Sequence, residues 1–292
     1  MRFRAHETFF IRKGWLNKGI RNVQHEPGVF MGAAGNPMDV LGIGANMVKA
    51  LRYWLQAVGL TVEPQGGRRT QQLTPLGEII LANDPYTEEM GTLWLLHYKL
   101  ATNQADATAW FFFFNEFRPL EFTRDDFVLQ LNNYIRMQSE EVSERSLEDD
   151  FTCIINTYVP RIKSNPEKVR PESNIDCPLG ELGLIDIVNK KQRIYKKSTP
   201  KKDSIHPLIL LAVILDQAEG QKEIRISTLQ NELCNLGKVF NLDIILLTYL
   251  LTRVEHMGLI KVIRTAGLDV IRIETNMEFL DCVNAYYAAI NN

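Results

Sequence analysis

One stretch, residues 39–77, constrains the fold more than any other part of the chain: DVLGIGANMVKALRYWLQAVGLTVEPQGGRRTQQLTPLG. Apolar side chains recur in it at intervals of three and four residues, at Met47, Val48, Leu51, Trp54, Leu55 and Val58. This is the period of a helix with one buried face. Gly59 and Leu60 end the helix, and two short strand-like runs, residues 60–63 and 69–73, follow it. The stretch therefore predicts a helix followed by a tight hairpin.

The residues on either side of this helix and hairpin extend the pattern. Thr74-Pro75 marks a new helix start, with threonine placed to cap it and proline suited to the first helical position. Before the long helix, Leu41-Gly42-Ile43-Gly44 supplies a glycine-bearing turn that lets two helices cross steeply. The order of elements predicts a winged helix-turn-helix.

The face of the long helix that the apolar stripe leaves free carries Asn46, Lys49 and Arg52, and the hairpin tip carries Arg68 and Arg69. Cations suit phosphates and an amide suits a base edge, so we expect this surface to contact DNA. The alternative is a winged helix that contacts protein, in which these charges are merely solvated.

Two further basic segments are expected to add backbone contacts. Residues 1–25 have Glu7 as their only acid and interleave aromatic residues with cations, among them Arg2, Arg4, Arg12, Lys13 and Lys18. Residues 189–202, NKKQRIYKKSTPKK, hold seven cations, including Lys196 and Lys197, and no acid. In the alternative interpretation of residues 1–25, the aromatics are core residues and the cations form a solvated rim. Residues 189–202 are either a flexible linker that follows phosphates or a strand pair with one solvated face.

The middle of the chain is predicted to be helical. Residues 111–114 are four consecutive phenylalanines, which a helix must bury nearly all round. Thr123 with Asp126 resembles a capping box that opens a helix running towards Met137. His97 lies in an apolar stripe and is interpreted as a core histidine.

From residue 204 onward the opening pattern returns. Helices are predicted at residues 207–216, 227–236 and 243–257, and they are followed by strand-like runs at residues 260–264 and 270–274. We therefore expect a second winged helix. Its long helix is so apolar that only Arg253 and His256 are predicted to face outwards, which favours packing against a partner or a second copy of the chain over entry into a groove.

These elements give a mainly α fold with short β-hairpins, of the α+β class. The predicted divisions are residues 1–88 for the N-terminal arm and winged helix, 89–165 for a central helical domain, 166–203 for a basic linker and 204–292 for the C-terminal winged-helix-like domain. The length of 292 residues is consistent with several domains.

Composition excludes some classes of protein. The net charge is only −2, so a nucleic-acid partner must be argued from local patches. The four cysteines, at positions 153, 177, 234 and 282, are too far apart for a zinc or redox motif and fit a reducing cytoplasm. The sequence has neither the apolar core of a signal peptide nor a run long enough to span a membrane, so we expect a cytoplasmic protein.

Several phrases of the sequence also resemble a known family: His6-Glu7-Thr8-Phe9, Arg12-Lys13-Gly14-Trp15-Leu16, Leu41-Gly42-Ile43-Gly44, Leu73-Thr74-Pro75-Leu76-Gly77, Gly91-Thr92-Leu93-Trp94-Leu95-Leu96-His97-Tyr98 and, more weakly, Cys177-Pro178-Leu179. They are similar to an uncharacterised family found beside phosphoadenosine-phosphosulfate-reductase-like proteins. Ala5 stands where that pattern has a glycine. Similar members, known as SspB, belong to gene cassettes for single-stranded DNA phosphorothioation and are thought to bind and nick DNA.

The resemblance implies a DNA-binding component of a bacterial modification or phage-defence system, with DNA-nicking (endonuclease) activity and with other proteins of the cassette as partners. The alternative is a non-catalytic adaptor or transcription regulator that forms a dimer and recruits partner proteins. No cofactor is evident in the sequence, but nicking implies a divalent metal such as Mg or Mn.

His6 and Glu7 are the candidate catalytic residues, because an imidazole and a carboxylate beside arginines suit water activation and neutralisation of a phosphorane. The alternative is that both side chains anchor the N-terminus within the fold. No metal-nuclease pattern identifies metal ligands. Glu148, Asp149 and Asp150 are consecutive carboxylates that either face solvent or bind a divalent metal. Side chains so placed on a helix point in different directions, which disfavours the metal site.

Overall fold

The computed structural model describes residues 1–64, 69–160, 176–265 and 268–291. It is an α+β fold, as expected. The helices are α1 (Trp15–His25), α2 (Pro37–Leu41), α3 (Ala45–Ala57), α4 (Pro75–Asn83), α5 (Met90–Thr102), α6 (Thr108–Asn115), α7 (Arg124–Met137), α8 (Glu144–Tyr158), α9 (Pro207–Ala218), α10 (Ile226–Asn231), α11 (Leu236–Val239), α12 (Ile244–His256) and α13 (Phe279–Ile290). The strands are β1 (Thr61–Val62), β2 (Gln72–Leu73), β3 (Glu121–Phe122), β4 (Ile185–Asn189), β5 (Ile194–Lys197), β6 (Glu223–Arg225), β7 (Ile260–Thr265) and β8 (Leu268–Ile273).

The N-terminal helices and hairpin follow the predicted order. Gly42 ends α2 with φ +59°, a left-handed conformation that glycine adopts without strain, and α3 begins three residues later at Ala45. Thr61 pairs with Leu73 in the antiparallel β1–β2 hairpin. The Thr74 hydroxyl accepts the backbone N–H of Gly77, so it caps α4 as predicted.

The core is built around α5 and α6. Most side chains of α5 are buried, as are the phenylalanines at positions 111–114 in α6, which confirms the prediction of a helix buried on nearly all sides. The capping box of Thr123 and Asp126 is present and opens α7.

A small antiparallel sheet, ordered β3-β5-β4, occupies part of the predicted basic linker. Phe122 of β3 pairs with Tyr195 of β5, and Ile185 of β4 pairs with Lys197. Residues 185–197 are therefore a strand pair with one exposed face, one of the two alternatives left open by the sequence, rather than a flexible linker. Residues 166–175 of the predicted linker lie outside the described residues.

The C-terminal part contains the predicted helices and hairpin, together with two features that differ. Strand β6 was not predicted and pairs with β8, giving a sheet ordered β6-β8-β7. The helix expected at 227–236 is broken into α10 and α11, because Glu232 is extended and Cys234 adopts φ +63° between them.

The exposed face of α12 also departs from the prediction. Ile244 and Ile245, in its first turn, are 52% and 79% exposed, whereas Arg253 is half-buried against Asp203. The expectation that only Arg253 and His256 face outwards is wrong, because the apolar pattern of α12 exceeds the width of its buried face.

Helix α13 makes hydrogen bonds to α5 within the core. The Tyr286 hydroxyl accepts the backbone N–H of Gly91 at 3.0 Å, and the hydroxyls of Thr92 and Tyr287 lie 2.6 Å apart in the core. These contacts join the predicted central domain, residues 89–165, to the predicted C-terminal domain, residues 204–292. In the described part of the chain, no single helix is both long and apolar enough to cross a membrane; only α10–α11 with α12, taken together across an 89° bend, reaches that length and composition.

Candidate nucleic-acid interface

The exposed face of α3 carries the residues that the sequence singled out. Asn46 and Lys49 are exposed, and the Lys49 side chain retains 64% of its accessible surface. Arg52 follows one turn later on the same face and is half-buried. Asn46 and Lys49 therefore present an amide and a cation to solvent from the N-terminal half of the helix.

Arg52 connects α3 to the hairpin. Its Nε donates to Glu63 at 2.6 Å, and its Nη2 lies 3.4 Å from the carbonyl oxygen of Arg69. The buried side chain of Gln71 donates to the carbonyl oxygen of Arg52. Arg52 thus holds the hairpin against α3. Arg69 is exposed at the base of the hairpin tip, and Arg68 lies outside the described residues.

The first residues of the chain lie beside α3. The guanidinium of Arg2 lies 5.3 Å from the ring centroid of Tyr53, which is on α3. Glu7 lies 3.9 Å from the ammonium of Lys49. Arg4 pairs with Asp149 at 2.7 Å and Arg2 pairs with Asp106 at 3.4 Å. Arg2 and Glu7 therefore lie against α3, whereas Arg4 lies against α8, and Arg2, Arg4 and Lys49 each have an acidic partner.

The other predicted DNA-binding cations have different neighbours. The guanidinium of Arg12 lies over the rings of Phe9 and Trp15. Lys13 pairs with Glu88, and Lys18 donates to the carbonyl oxygen of Leu41 at the end of α2. Trp15 is buried, and Phe9 and Phe10 are half-buried against the core, as the alternative interpretation of the arm predicted.

The two lysines predicted to add backbone contacts point to opposite faces of β5. Lys196 is exposed, but its neighbours across the sheet are Glu121 and Asp186, so its charge is locally balanced. The ammonium of Lys197 turns inward and donates to the carbonyl oxygens of Phe113 and Phe117. The side chain of Lys197 therefore does not face open solvent as that of Lys196 does, because successive side chains of a strand alternate between its faces. The predicted phosphate contact of Lys197 stays a prediction.

His6 is buried, and both nitrogens of its imidazole ring are hydrogen-bonded. Nδ1 accepts the backbone N–H of Thr8, so Nε2 carries the proton and donates to Oδ1 of Asp150 at 2.6 Å. The ring stacks on Trp54 and meets Trp110 edge-on. This is the geometry of the alternative in which His6 anchors the N-terminus. Burial raises the pKa of Asp150, while the hydrogen bonds from His6 and Arg4 lower it.

The arm that His6 anchors has a strained backbone. Arg4, Glu7 and Thr8 have φ angles of +54°, +49° and +67°, which side chains other than glycine rarely adopt. Such residues persist where the surrounding structure holds them in place. The hydrogen bonds of Asp150 to His6 and to the backbone N–H of Arg4 do so here, and they leave the Glu7 side chain at the surface near Lys49.

A protein-family model matches residues 3–287, nearly the whole chain, and its description is a protein of unknown function, DUF4007. The chain belongs to the DUF4007 family. No curated protein matches it. Two solved structures do, described as "SspB crystal structure" and "Magnesium ion-bound SspB crystal structure". Each has 27% sequence identity and a TM-score of 0.85 and covers 100% of this chain and 89% of the other.

This similarity bears on two expectations drawn from the sequence. The resemblance to SspB is confirmed at the level of structure. The association of the DUF4007 chain with phosphoadenosine-phosphosulfate-reductase-like proteins is not tested by these matches and stays a prediction.

The consecutive carboxylates of α8 do not form a metal site. Glu148 pairs with Arg124, Asp149 with Arg4, and Asp150 with His6. The carboxylates point in different directions, as helical geometry requires. Within the described residues, no three His, Cys, Asp or Glu side chains are grouped to hold a metal ion. We therefore assign no metal ligands among the described residues.

Sequence reasoning missed the acidic partners of this surface. Glu63, Asp106 and Asp149 each neutralise a cation that was predicted to face phosphate. Glu63 was detectable, because it lies on the hairpin strand next to α3. Asp106 and Asp149 are more than 100 residues from Arg2 and Arg4 along the chain, and no local pattern links them.

Proposed function

We propose that this DUF4007 chain is a DNA-binding component of a phosphorothioation system and that α2, α3 and the β1–β2 hairpin act as a winged helix-turn-helix. The observation that carries the proposal is the exposed stripe of Asn46 and Lys49 on α3, with Arg2 of the arm packed against Tyr53 of the same helix. The similarity to SspB supports a role in an Ssp-type system.

The position of Asn46 and Lys49 on α3 favours contact with bases and phosphates. In helix-turn-helix proteins, the second helix enters the major groove with its N-terminal residues nearest the base edges. Asn46 is the second residue of α3, and Lys49 is one turn further on. An asparagine amide can make two hydrogen bonds to adenine, and a lysine ammonium can bind phosphate or guanine.

The acidic partners do not prevent phosphate binding. Lys49 and Glu7 are 3.9 Å apart and both are partly exposed, and surface ion pairs of this kind contribute about 1 kcal/mol or less. A DNA phosphate can therefore replace Glu7 at little cost. The same exchange is open to Arg2, whose pair with Asp106 is also exposed.

The test of DNA binding is the salt dependence of affinity for a duplex, measured by fluorescence anisotropy. Lys49→Ala should lower the log-log slope by about one unit, because one phosphate contact is lost. Asn46→Ala should weaken binding with the slope unchanged, because an amide releases no counterion. Arg136→Ala, an exposed cation on α7, is the control. An unchanged slope for Lys49→Ala would remove α3 from the interface.

Arg52→Ala is expected to have a compound effect, because Arg52 also positions the hairpin through Glu63. Arg52→Lys keeps the charge but loses the fork that bonds both Glu63 and the Arg69 carbonyl. If Arg52→Lys binds DNA as weakly as Arg52→Ala while Lys49→Ala retains its folded spectrum, Arg52 acts through the hairpin rather than through phosphate.

For the nicking activity that the resemblance implies, we propose that Glu7 is the accessible member of the predicted pair and that His6 is a positioning residue. The Glu7 carboxylate is 38% exposed, whereas His6 is fully buried. The assay is conversion of supercoiled plasmid to open circles with added magnesium or manganese. Glu7→Gln should abolish nicking with the fold intact, and equal nicking by Glu7→Gln and the wild type would reject this assignment.

One observation favours the adaptor alternative. Ile244 and Ile245 expose apolar surface in the first turn of α12, where a DNA-reading helix would carry polar groups. Sedimentation of the wild type and of Ile245→Glu separates the two functions. A dimer that dissociates in Ile245→Glu, together with the absence of nicked plasmid from the wild type, would support the adaptor.

A further inference from the structure

A second cationic site lies away from α3, in a cavity of about 300 Å³ next to the end of α6. Its wall comes from the segment after α6, from β5, and from α11 with the connection that follows it. Three cationic side chains line it: Arg118 after α6, Lys197 of β5 and Lys238 of α11. Three separate parts of the chain thus direct positive charge to one open cavity at the surface.

Lys197 forms the inner part of the cavity. Its ammonium donates to the carbonyl oxygens of Phe113 and Phe117, which leaves one of its three N–H donors without a partner in the described part of the chain. Burial, with the nearby charge of Lys238, lowers the pKa of Lys197 to about 7. A bound anion would offset both the burial and the repulsion from Lys238.

The two outer cations, Arg118 and Lys238, are unpaired. Among the described residues, neither side chain has an ion pair or a hydrogen bond, and Arg118 is exposed while Lys238 is half-buried. The wall also carries Asp243, whose carboxylate accepts the backbone N–H of Leu246 and so caps α12. The cations of this cavity therefore outnumber its acids, in contrast to those near α3.

The backbone that carries these side chains is fixed. The backbone N–H of Lys197 donates to the carbonyl oxygen of Leu120 at 2.9 Å, which fixes the segment after α6 against β5. The Asn241 amide donates to the carbonyl oxygens of Leu184 and Ser198, which fixes the α11–α12 connection to the same sheet. Gly237 packs so closely against Gln230 that an added Cβ would lie 2.1 Å from its carbonyl oxygen. The cations are thus presented from rigid elements.

We propose that Arg118, Lys197 and Lys238 form a phosphate-binding site. Guanidinium and ammonium groups converging on one cavity match the charge and the several acceptor oxygens of a phosphate group. The phosphate belongs either to the DNA backbone, in which case the site deepens the proposed DNA-binding function, or to a free phosphate or mononucleotide.

The experiment uses the full chain and four variants. Arg118→Ala and Lys238→Ala test the site, whereas Arg136→Ala and Lys222→Ala remove exposed cations elsewhere. Lys197 is left intact because it also holds the end of α6. One arm titrates inorganic phosphate by calorimetry, and the other measures the affinity for single-stranded and duplex oligonucleotides as a function of salt.

Loss of inorganic phosphate binding by about tenfold in the two site variants, with DNA affinity unchanged, supports the site and identifies a free ligand. A fall in the salt slope of DNA binding by about one unit in each site variant supports it and identifies the backbone. Wild-type chain that binds no phosphate, with DNA slopes equal in all four variants, overturns the proposal. Lys49→Ala reports on α3 independently, so failure of this site leaves the test of the proposed function intact.

Discussion

The imidazole Nε2 of His6 lies 2.6 Å from Oδ1 of Asp150, and 144 residues of chain separate the two. Both side chains are almost fully buried, and the same carboxylate oxygen accepts the backbone N–H of Arg4. One buried carboxylate thus fixes the conformation of the N-terminal arm.

Asp150→Ala is expected to lower the free energy of unfolding by about 3 kcal/mol, because two buried donors lose their acceptor. Asp150→Asn should cost less, since an amide oxygen still accepts. Asp149→Ala is the control: it removes a partly exposed ion pair with Arg4 and should cost about 1 kcal/mol or less. Urea denaturation measures all three, and equal effects of the two alanine variants would contradict the anchoring role.

The buried imidazole of His97 predicts a pH dependence of stability. Its Nε2 donates to the carbonyl oxygen of Val239 and its Nδ1 accepts from Tyr158, an arrangement that needs the neutral ring. Burial lowers the pKa of His97 to about 4 from an ordinary value of 6.5. As the pH falls, this histidine is protonated in the unfolded chain before it is protonated in the folded chain. The free energy of unfolding therefore falls between pH 6.5 and pH 4, by up to about 3 kcal/mol.

His97→Gln keeps a donor for Val239 but does not titrate, so its stability should fall less steeply over this pH range than that of the wild type. His25→Gln, which replaces an exposed histidine, is the control. Identical profiles for His97→Gln and the wild type would show that His97 does not titrate abnormally.

The contact between α5 and α13 predicts that Gly91 cannot be enlarged. A Cβ at this position would lie 2.3 Å from the ring of Tyr286. Gly91→Ala should therefore destabilise the fold by about 1–3 kcal/mol through overpacking. Gly44→Ser is the control, because open space surrounds its Cβ position and serine suits the helix N-cap. Thermal unfolding measures both, and a Gly91→Ala variant as stable as Gly44→Ser would refute this packing.

The ion pair between Arg52 and Glu63 predicts the local stability of the hairpin. Glu63→Gln should let β1 and β2 open more often, with amide hydrogen exchange at Val62 and Gln72 about fivefold faster for a loss of roughly 1 kcal/mol. Glu88→Gln breaks the more exposed pair with Lys13 and should leave these amides unchanged. Exchange that is unaffected by Glu63→Gln would mean that the strand hydrogen bonds alone hold the hairpin.

The sequence by itself determined the elements whose causes are local. The apolar period of α3, the cap at Thr74 and the capping box of Thr123 with Asp126 each depend on residues within one or two turns, so they were readable directly. The exposed positions of Asn46 and Lys49 followed from the same period. The turn at Cys234 broke a predicted helix, since its positive φ has no signature in the surrounding residues.

Only the tertiary structure decided the contacts made across long separations. The pairing of β3 with β5 placed Lys196 between two acids and turned Lys197 towards α6. The fold also enclosed His6 with Asp150 and brought Arg118 near Lys238, although nothing in the neighbouring sequence links these residues. The physical reason is that period and capping arise from the hydrogen bonds of one helix, whereas the charge and exposure of a side chain depend on which distant segment packs against it.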